Sequence, residues 1–144
     1  MEDKVLGLLG LMRRAKAIEI GTDNAVDAVH AGRAKLLLLS GDIADNARRK
    51  AENATNGRRT ITVPLDYSRS ELAGALGVSD CSMAAVTDIG FANAVMKELA
   101  AKLPDRYGPI AETVGARCEK NARRKKEKAA RLDSKRNGKR RTEV

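Results

Sequence analysis

A run of four leucines, Leu36 to Leu39, has no polar residue within it. A strand with one face in water alternates apolar and polar residues, so this run predicts a strand that is buried on both faces. A sheet can be covered on both faces only if helices pack on its two sides. The pattern therefore predicts a central strand between two helical layers, with Lys35 just before it.

Helix and strand patterns alternate along residues 4–103. Alternating residues predict a short strand at residues 18–20, the segment Thr-Ile-Thr-Val predicts one at 60–63 that Pro64 closes, and an apolar run predicts a buried strand at 83–86. Apolar side chains at helical spacing predict helices near residues 4–16, 22–31, 69–76 and 88–103, and an exposed outer helix rich in Arg, Lys and Asn is predicted near residues 45–55. This order predicts an α/β fold, a three-layer α/β/α sandwich with a mixed sheet of about four strands and a basic C-terminal extension.

Three of these helices begin with residues that favour N-cap positions. Thr22 follows Gly21 and is a suitable N-cap for the second helix. Ser68 and Glu71 have the spacing of a capping box, and Asp88 precedes the last helix of the compact part. These residues predict where the helices start.

Proline and glycine interrupt the helical pattern after residue 103, at Pro104, Gly108 and Pro109. We therefore expect a compact domain at residues 1–103, a linker at 104–110 and a basic tail at 111–144. Residues 110–132 are rich in helix-forming residues but lack a broad apolar stripe, which predicts an exposed helix. Residues 133–144 are expected to be disordered.

The charge of the chain is concentrated in its tail. The net charge is +9, yet residues 1–116 contain 15 basic and 15 acidic residues, and residues 117–144 contain 13 basic and 4 acidic ones. Such a tail points to a polyanionic partner, most often nucleic acid, although a solubilising tail has the same composition. Tail contacts to phosphates are expected at Arg123, Arg124, Lys125, Lys126, Arg140 and Arg141.

No catalytic, metal-binding or cofactor-binding motif is found. The two cysteines, Cys81 and Cys118, are far apart, and the single histidine, His30, has no partner motif. We expect no enzymatic activity, no cofactor and no metal. Free thiols, the absence of a signal peptide and the absence of a membrane span predict a cytoplasmic protein that does not bind membranes. Few aromatics argue against base stacking.

Several polar residues are candidates for nucleic-acid contacts. Gly21, Thr22, Asp23 and Asn24 open a helix, where free backbone N–H groups suit a phosphate or a base edge, although ordinary capping explains the same residues. Arg13 and Arg14 end the first helix, where they either stabilise the helix dipole or contact RNA.

The order of several short motifs resembles a known family. The motifs are Leu8-Leu9-Gly10-Leu11 with Arg13-Arg14-Ala15, Gly21-Thr22, the stretch from Ala34 to Leu39 with Asp42, Leu76-Gly77, and Val86-Thr87-Asp88 with Gly90-Phe91-Ala92. This series resembles the kink-turn RNA-binding ribosomal proteins, the family of the archaeal large-subunit protein seven-Ae and the thirty-e protein, and within it the small bacterial YlxQ type. The resemblance implies an α/β/α sandwich that is not an enzyme and that binds structured RNA, with ribosomal RNA or the ribosome as partners.

The resemblance also implies where RNA contacts lie. In this family a Gly-Thr/Ser-Asn-Glu-x-x-Lys segment and the apolar loop before the last strand contact the RNA. Gly21 and Thr22 match that segment, whereas Asp23, Asn24 and Asp27 stand where the pattern has Asn, Glu and Lys. The second loop corresponds to Val78, Ser79 and Asp80, and Lys35 is a further candidate cation.

Two functions follow as hypotheses. The first is recognition of structured, kink-turn-like RNA or rRNA by the folded body, with phosphate affinity added by the tail. The second is a ribosome-associated protein-interaction module whose tail alone contacts nucleic acid, which the carboxylates Asp23 and Asp27 favour. A weaker third is a general compactor of nucleic acid that acts through the tail.

Overall fold

The structure is a computed structural model that describes residues 3–142, with side chains described for residues 3–134. Its elements are α1 (Lys4–Arg14), β1 (Ile18–Ile20), α2 (Thr22–His30), β2 (Leu36–Leu39), α3 (Asp45–Thr55), β3 (Ile61–Pro64), α4 (Arg69–Leu76), β4 (Met83–Val86), α5 (Ile89–Lys102) and α6 (Pro104–Thr142). The predicted alternation of helices and strands is confirmed, and α6 extends the helix predicted for residues 110–132 in both directions.

The four strands form one mixed sheet in the order β1-β4-β2-β3. Strand β4 is antiparallel to both of its neighbours, β1 and β2, and β2 is parallel to β3. Leu37 lies in the middle of the sheet and is paired with Ala85 on one side and Thr62 on the other. The predicted mixed sheet of four strands is therefore confirmed.

Both faces of β2 are buried, as the leucine run predicted. Leu36 and Leu38 belong to a core shared with α1, α4, α5 and α6, whereas Leu37 and Leu39 pack with α2 and α3. None of the four leucines is more than 4% exposed. The sheet thus has four helices on one face and two on the other, which makes the three-layer sandwich.

The helix starts agree with the sequence at two of three places. Ser68 accepts a hydrogen bond from the backbone of Glu71 and completes a capping box, and the Asp88 side chain accepts from the backbone of Phe91. The prediction for α2 was wrong, because its N-cap is Gly21 and Thr22 is the first helical residue. Gly21 has φ 98° and ψ 156°, a conformation that glycine adopts most readily.

Residues 104–110 form the first turns of α6 and not the linker that the sequence predicted. Pro104 is tolerated as the first helical residue, where its missing N–H costs nothing. Tyr107 and Val114 are buried in the core, so tertiary packing outweighs the local cost of Gly108 and Pro109. The backbone stays helical to Thr142, where disorder was expected from residue 133, while residues 143 and 144 lie outside the described part.

Asp3 ties the start of α1 to two distant parts of the fold. Its carboxylate accepts hydrogen bonds from the backbone N–H of Val5 at 2.8 Å and of Leu6 at 3.3 Å. It also accepts from the Tyr67 hydroxyl and from Lys102 Nζ, both at 2.7 Å. Although burial raises the pKa of Asp3, the hydrogen bonds from Lys102, Tyr67 and the two amides outweigh it and lower that pKa to about 2.

Replacement of this carboxylate gives a pH-dependent loss of stability. Because the pKa of Asp3 is lower in the folded state, its contribution is full above the unfolded value of 3.8 and is lost as the pH falls towards 2. We expect Asp3→Asn to lower the free energy of unfolding by about 1 kcal/mol at pH 7 and by less near pH 2. Urea unfolding across this pH range measures the difference. Asp133→Asn in the exposed tail serves as the control, and an equal loss for Asp3→Asn at every pH would contradict the assignment.

Candidate nucleic-acid interface

The turn at Gly21 and the loop at Val78 lie at the same edge of the sheet. Strands β1, β2 and β3 end at this edge and β4 begins there. The Gly21 N–H donates to the Met83 carbonyl at 3.0 Å, and the Ser40 N–H donates to the Ser82 carbonyl at 2.9 Å. We call the segments 21–24, 40–44, 65–69 and 77–82 the loop edge. It gives the two predicted contact regions a common surface.

The Gly21 turn presents its polar groups to solvent. Asp23 and Asn24 are exposed, and Gly21 and Thr22 are half-buried. No side chain of the described residues caps the start of α2, so its first amides remain available to an outside acceptor. Asn24 Nδ2 donates to the Ile20 carbonyl at 3.0 Å, which holds the turn against the end of β1. The turn is therefore a preformed site for a hydrogen-bond acceptor.

The Val78 loop is held in place by Gly77 and Arg13. Gly77 ends α4 in the left-handed conformation, with φ 70°. The Arg13 guanidinium donates to the Leu76 carbonyl and lies directly against Gly77. Arg13 was predicted to contact RNA, but in this structure it positions the loop. Val78 is half-buried beside it, and Ser79 and Asp80 are exposed.

A pair of glycine substitutions within α4 tests this arrangement. We expect Gly77→Ala to destabilise the fold by about 1–2 kcal/mol, because alanine is strained at positive φ and its Cβ would displace the Arg13 guanidinium. Gly74→Ala is the matched control: it has open space around its Cβ, and the change should stabilise α4 by up to about 1 kcal/mol. Thermal denaturation compares the two. Equal effects would show that the left-handed C-cap is unimportant.

Carboxylates outnumber cations on the loop edge. Arg69 Nε lies 4.0 Å from Asp42 and 3.7 Å from Asp80, and the Arg69 N–H donates to Asp42 at 2.8 Å. That backbone hydrogen bond is the main reason that the pKa of Asp42 is lowered. Asp23 and Asp27 are exposed on α2 nearby. The loop edge is therefore better suited to hydrogen-bond donors on bases than to a run of phosphates.

The remaining predicted site residues lie elsewhere. Arg14 lines a groove between α1 and α5, and Lys35 precedes β2 at the end of the sheet opposite the loop edge. Arg123, Arg124, Lys125 and Lys126 are exposed on α6. The side chains of Arg140 and Arg141 lie outside the described residues. The loop edge thus brings together part of the predicted site: Gly21, Thr22, Asp23, Asn24, Val78, Ser79 and Asp80. Arg14, Lys35 and the described tail cations do not belong to it.

A cluster of cations that the sequence analysis missed lies at the opposite edge of the sheet. It lines a cavity of about 530 Å³, which we call the basic groove. Its cations are Lys35, Arg58, Arg59, Arg117, Lys120 and Arg124. The available signal was that Lys35 and the Arg58-Arg59 pair each precede a strand, and parallel neighbouring strands begin at the same edge.

Other kinds of site find no support in the described residues. Over residues 3–134 there is no group of three or more His, Cys, Asp or Glu side chains that could hold a metal ion. None of the helices in the described part of the chain is long and apolar enough to cross a bilayer. Burial raises the pKa of the Cys81 thiol, which disfavours its reactive thiolate form.

Sequence comparison identifies the family. No family model matches the chain. The RNA-binding protein YlxQ of Bacillus subtilis is 34% identical over 92 residues, which cover 64% of this chain and 91% of that protein. The chain belongs to the YlxQ family. The name of this relative describes binding and no reaction, in agreement with the expectation that the present YlxQ-family protein is not an enzyme.

Two solved structures have a similar fold. A protein of unknown function from Bacillus halodurans C is 28% identical, with a TM-score of 0.63, and the match covers 67% of this chain and 97% of that one. The 15.5kD RNA binding protein of Giardia lamblia is 21% identical, with a TM-score of 0.55, over 70% of this chain and 89% of that one. The second similarity is one of fold. The partial coverage leaves this YlxQ-family chain with residues beyond those its relatives share.

Proposed function

We propose that this YlxQ-family protein binds structured, kink-turn-like RNA through its loop edge, with additional phosphate affinity from the basic tail. It acts by binding and not as an enzyme. The observation that supports the proposal is the hydrogen bond from the Gly21 N–H to the Met83 carbonyl, which joins the Gly21 turn to the start of β4, directly after the segment 77–82. The relative named RNA-binding protein YlxQ supports RNA as the partner. A cytoplasmic ribosomal RNA, free or within the ribosome, fits this chemistry.

The two halves of the loop edge would have different tasks. The free amides at the start of α2 and the Asn24 side chain supply donors and acceptors for the edges of unpaired or sheared bases. Val78 supplies an apolar contact, since its side chain is only partly buried. The cations of α6 would bind the phosphates. RNA could then bind although Asp23 and Asp27 carry negative charge near the loop edge.

A gain of affinity tests the loop edge. Asp27 is exposed and occupies the position at which the related pattern has lysine, so Asp27→Lys replaces a repulsion by a phosphate contact. We expect the affinity of the full chain for a kink-turn RNA to rise about tenfold, with little change for a straight duplex of equal length. Glu112→Lys, an exposed change of equal charge on α6, controls for net charge.

The alternative is a ribosome-associated protein-interaction module whose tail alone contacts nucleic acid. The carboxylates of the loop edge, of which Asp42 and Asp80 share Arg69 as an ion-pair partner, favour this version. It requires equal affinity for kink-turn and straight RNA, and an equal response of both RNAs to Asp27→Lys and Glu112→Lys. A preference for the kink turn that only Asp27→Lys increases would exclude it.

A further inference from the structure

The basic groove lies at the end of the sheet where β2 and β3 begin and β4 ends. It is separated from the loop edge by the length of a four-residue strand, about 13 Å. Val29, Ala34 and Ile89 line it together with the six cations. The groove is thus a second surface, distinct from the one that the proposed function uses.

Two parts of the sequence that are far apart build the groove. Lys35 and the Arg58-Arg59 pair come from the turns before two parallel neighbouring strands. The burial of Tyr107 and Val114 then directs α6 past the same edge. Arg117, Lys120 and Arg124 follow at spacings of three and four residues, which puts them on one face of α6.

Among the side chains of residues 3–134, the cations of the groove have no carboxylate partner. No Asp or Glu lines it, and the five ion pairs of the described side chains all involve other cations. Arg58 Nη1 donates to the carbonyls of Val29 at 3.3 Å and His30 at 3.4 Å. Arg117 Nη1 donates to the Arg59 carbonyl at 2.8 Å. These partners are neutral, so they fix two guanidinium groups without cancelling their charge.

The chemistry of the lining selects the ligand. Six neighbouring positive charges repel one another, and an anion with several charges relieves that repulsion. No aromatic side chain lines the groove in the part of the chain that the structure describes, so these residues offer no platform on which a base or nucleoside would stack. Arginine and lysine together suit the repeated phosphates of a nucleic-acid backbone.

We propose that the basic groove is a second RNA-binding site, which holds the phosphate backbone of an RNA segment at the end of the molecule opposite the loop edge. This inference rests on the proposed function only in taking RNA as the partner. The exposed cations Arg123, Lys125 and Lys126 continue from the groove along α6. The groove and α6 therefore form one continuous phosphate-binding track, anchored on the folded body.

The test compares two triple variants of the full chain that lose the same charge. Lys35→Gln, Lys120→Gln and Arg124→Gln remove three groove cations. Lys4→Gln, Lys50→Gln and Lys97→Gln remove three exposed cations from other surfaces. Neither set contains a side chain with a hydrogen bond or ion pair among those described, so both variants should fold, which thermal denaturation checks.

Binding to a straight duplex RNA is measured over a range of salt concentrations. We expect the groove variant to reduce the slope of log K against log salt by about 2–3 and the affinity at ~0.1 M salt by about a hundredfold, with a slope change below about 1 for the control. Equal losses in the two variants, or no loss in either, would overturn the proposal. So would competition by poly-glutamate that matches RNA at equal charge, because the groove would then fit an acidic protein.

The same variants separate this proposal from the proposed function. The ratio of affinities for kink-turn and straight RNA depends on the loop edge and should be unchanged in the groove variant. A wild-type ratio near one, together with the expected loss in the groove variant, would reject kink-turn recognition while retaining the groove. If the wild-type ratio were well above one and the groove variant lost no affinity, the groove proposal would be rejected and kink-turn recognition retained.

Discussion

Replacement of Tyr107 by alanine is expected to lower the free energy of unfolding by about 3–5 kcal/mol, the largest effect of any substitution considered. Tyr107 is 2% exposed and lies in the larger of the two core clusters. Its hydroxyl donates to the Pro64 carbonyl at 2.6 Å, which joins α6 to the end of β3. The substitution removes a ring from the core and breaks the link between α6 and the sheet.

Tyr107→Phe is the matched control, because it retains the ring and removes only the hydroxyl. Arg106 Nη2 also donates to the Pro64 carbonyl, at 3.1 Å, so that acceptor keeps one partner. We expect a loss of about 1 kcal/mol for this variant. Urea unfolding followed by circular dichroism measures both. If Tyr107→Ala were as stable as the wild type, residues 104–110 would be a linker after all.

Deletion of residues 125–144 is expected to have the largest effect on RNA binding. It removes four of the six predicted tail contacts: Lys125, Lys126, Arg140 and Arg141. The slope of log K against log salt should fall in magnitude by about 3–4 for a duplex, and the affinity at ~0.1 M salt by about a thousandfold. Binding titrations at several salt concentrations measure both quantities.

The position of this cut follows from the packing of α6. A deletion that began at residue 111 would remove Val114, which is 1% exposed, and would confuse loss of binding with loss of the fold. A cut after Arg124 retains Tyr107, Val114 and all six cations of the basic groove. A chain in which residues 125–144 carry glutamine in place of lysine and arginine controls for length. An unchanged slope in both chains would place the phosphate contacts on the body.

Local signals predicted most of the fold. The leucine run identified β2 as buried on both faces because only residues of one short segment are needed to recognise it. Ser68 and Glu71 identified the start of α4 for the same reason. The prediction of Thr22 as the N-cap was wrong, because N-cap preferences do not show that the backbone needs a positive φ here. Glycine adopts that conformation most readily, and Gly21 occupies the N-cap.

Features that depend on distant contacts could not be predicted in this way. Gly108 and Pro109 are local breakers, and the sequence does not reveal that Tyr107 reaches Pro64 and holds α6 as a helix. The basic groove depends on the parallel pairing of β2 with β3 and on the path of α6. No single segment of the sequence predicts either feature. For the loop edge, the sequence named the two segments, whose role in RNA contact stays a prediction, and the structure adds that both lie at one edge of the sheet.

The separation of charge between the two ends of the sheet gives the molecule a permanent electric dipole. Asp23, Asp42, Asp66 and Asp80 lie at the loop edge, and the cations of the basic groove, which form no ion pair with the described side chains, lie beyond the far ends of the strands. The electric field of a polyanion orients such a molecule before the two make contact, so that its cationic end faces the polyanion. The encounter of the basic groove with RNA and the recognition of RNA by the loop edge would then be successive steps. A low salt concentration would raise the rate of the encounter and leave the recognition step unchanged.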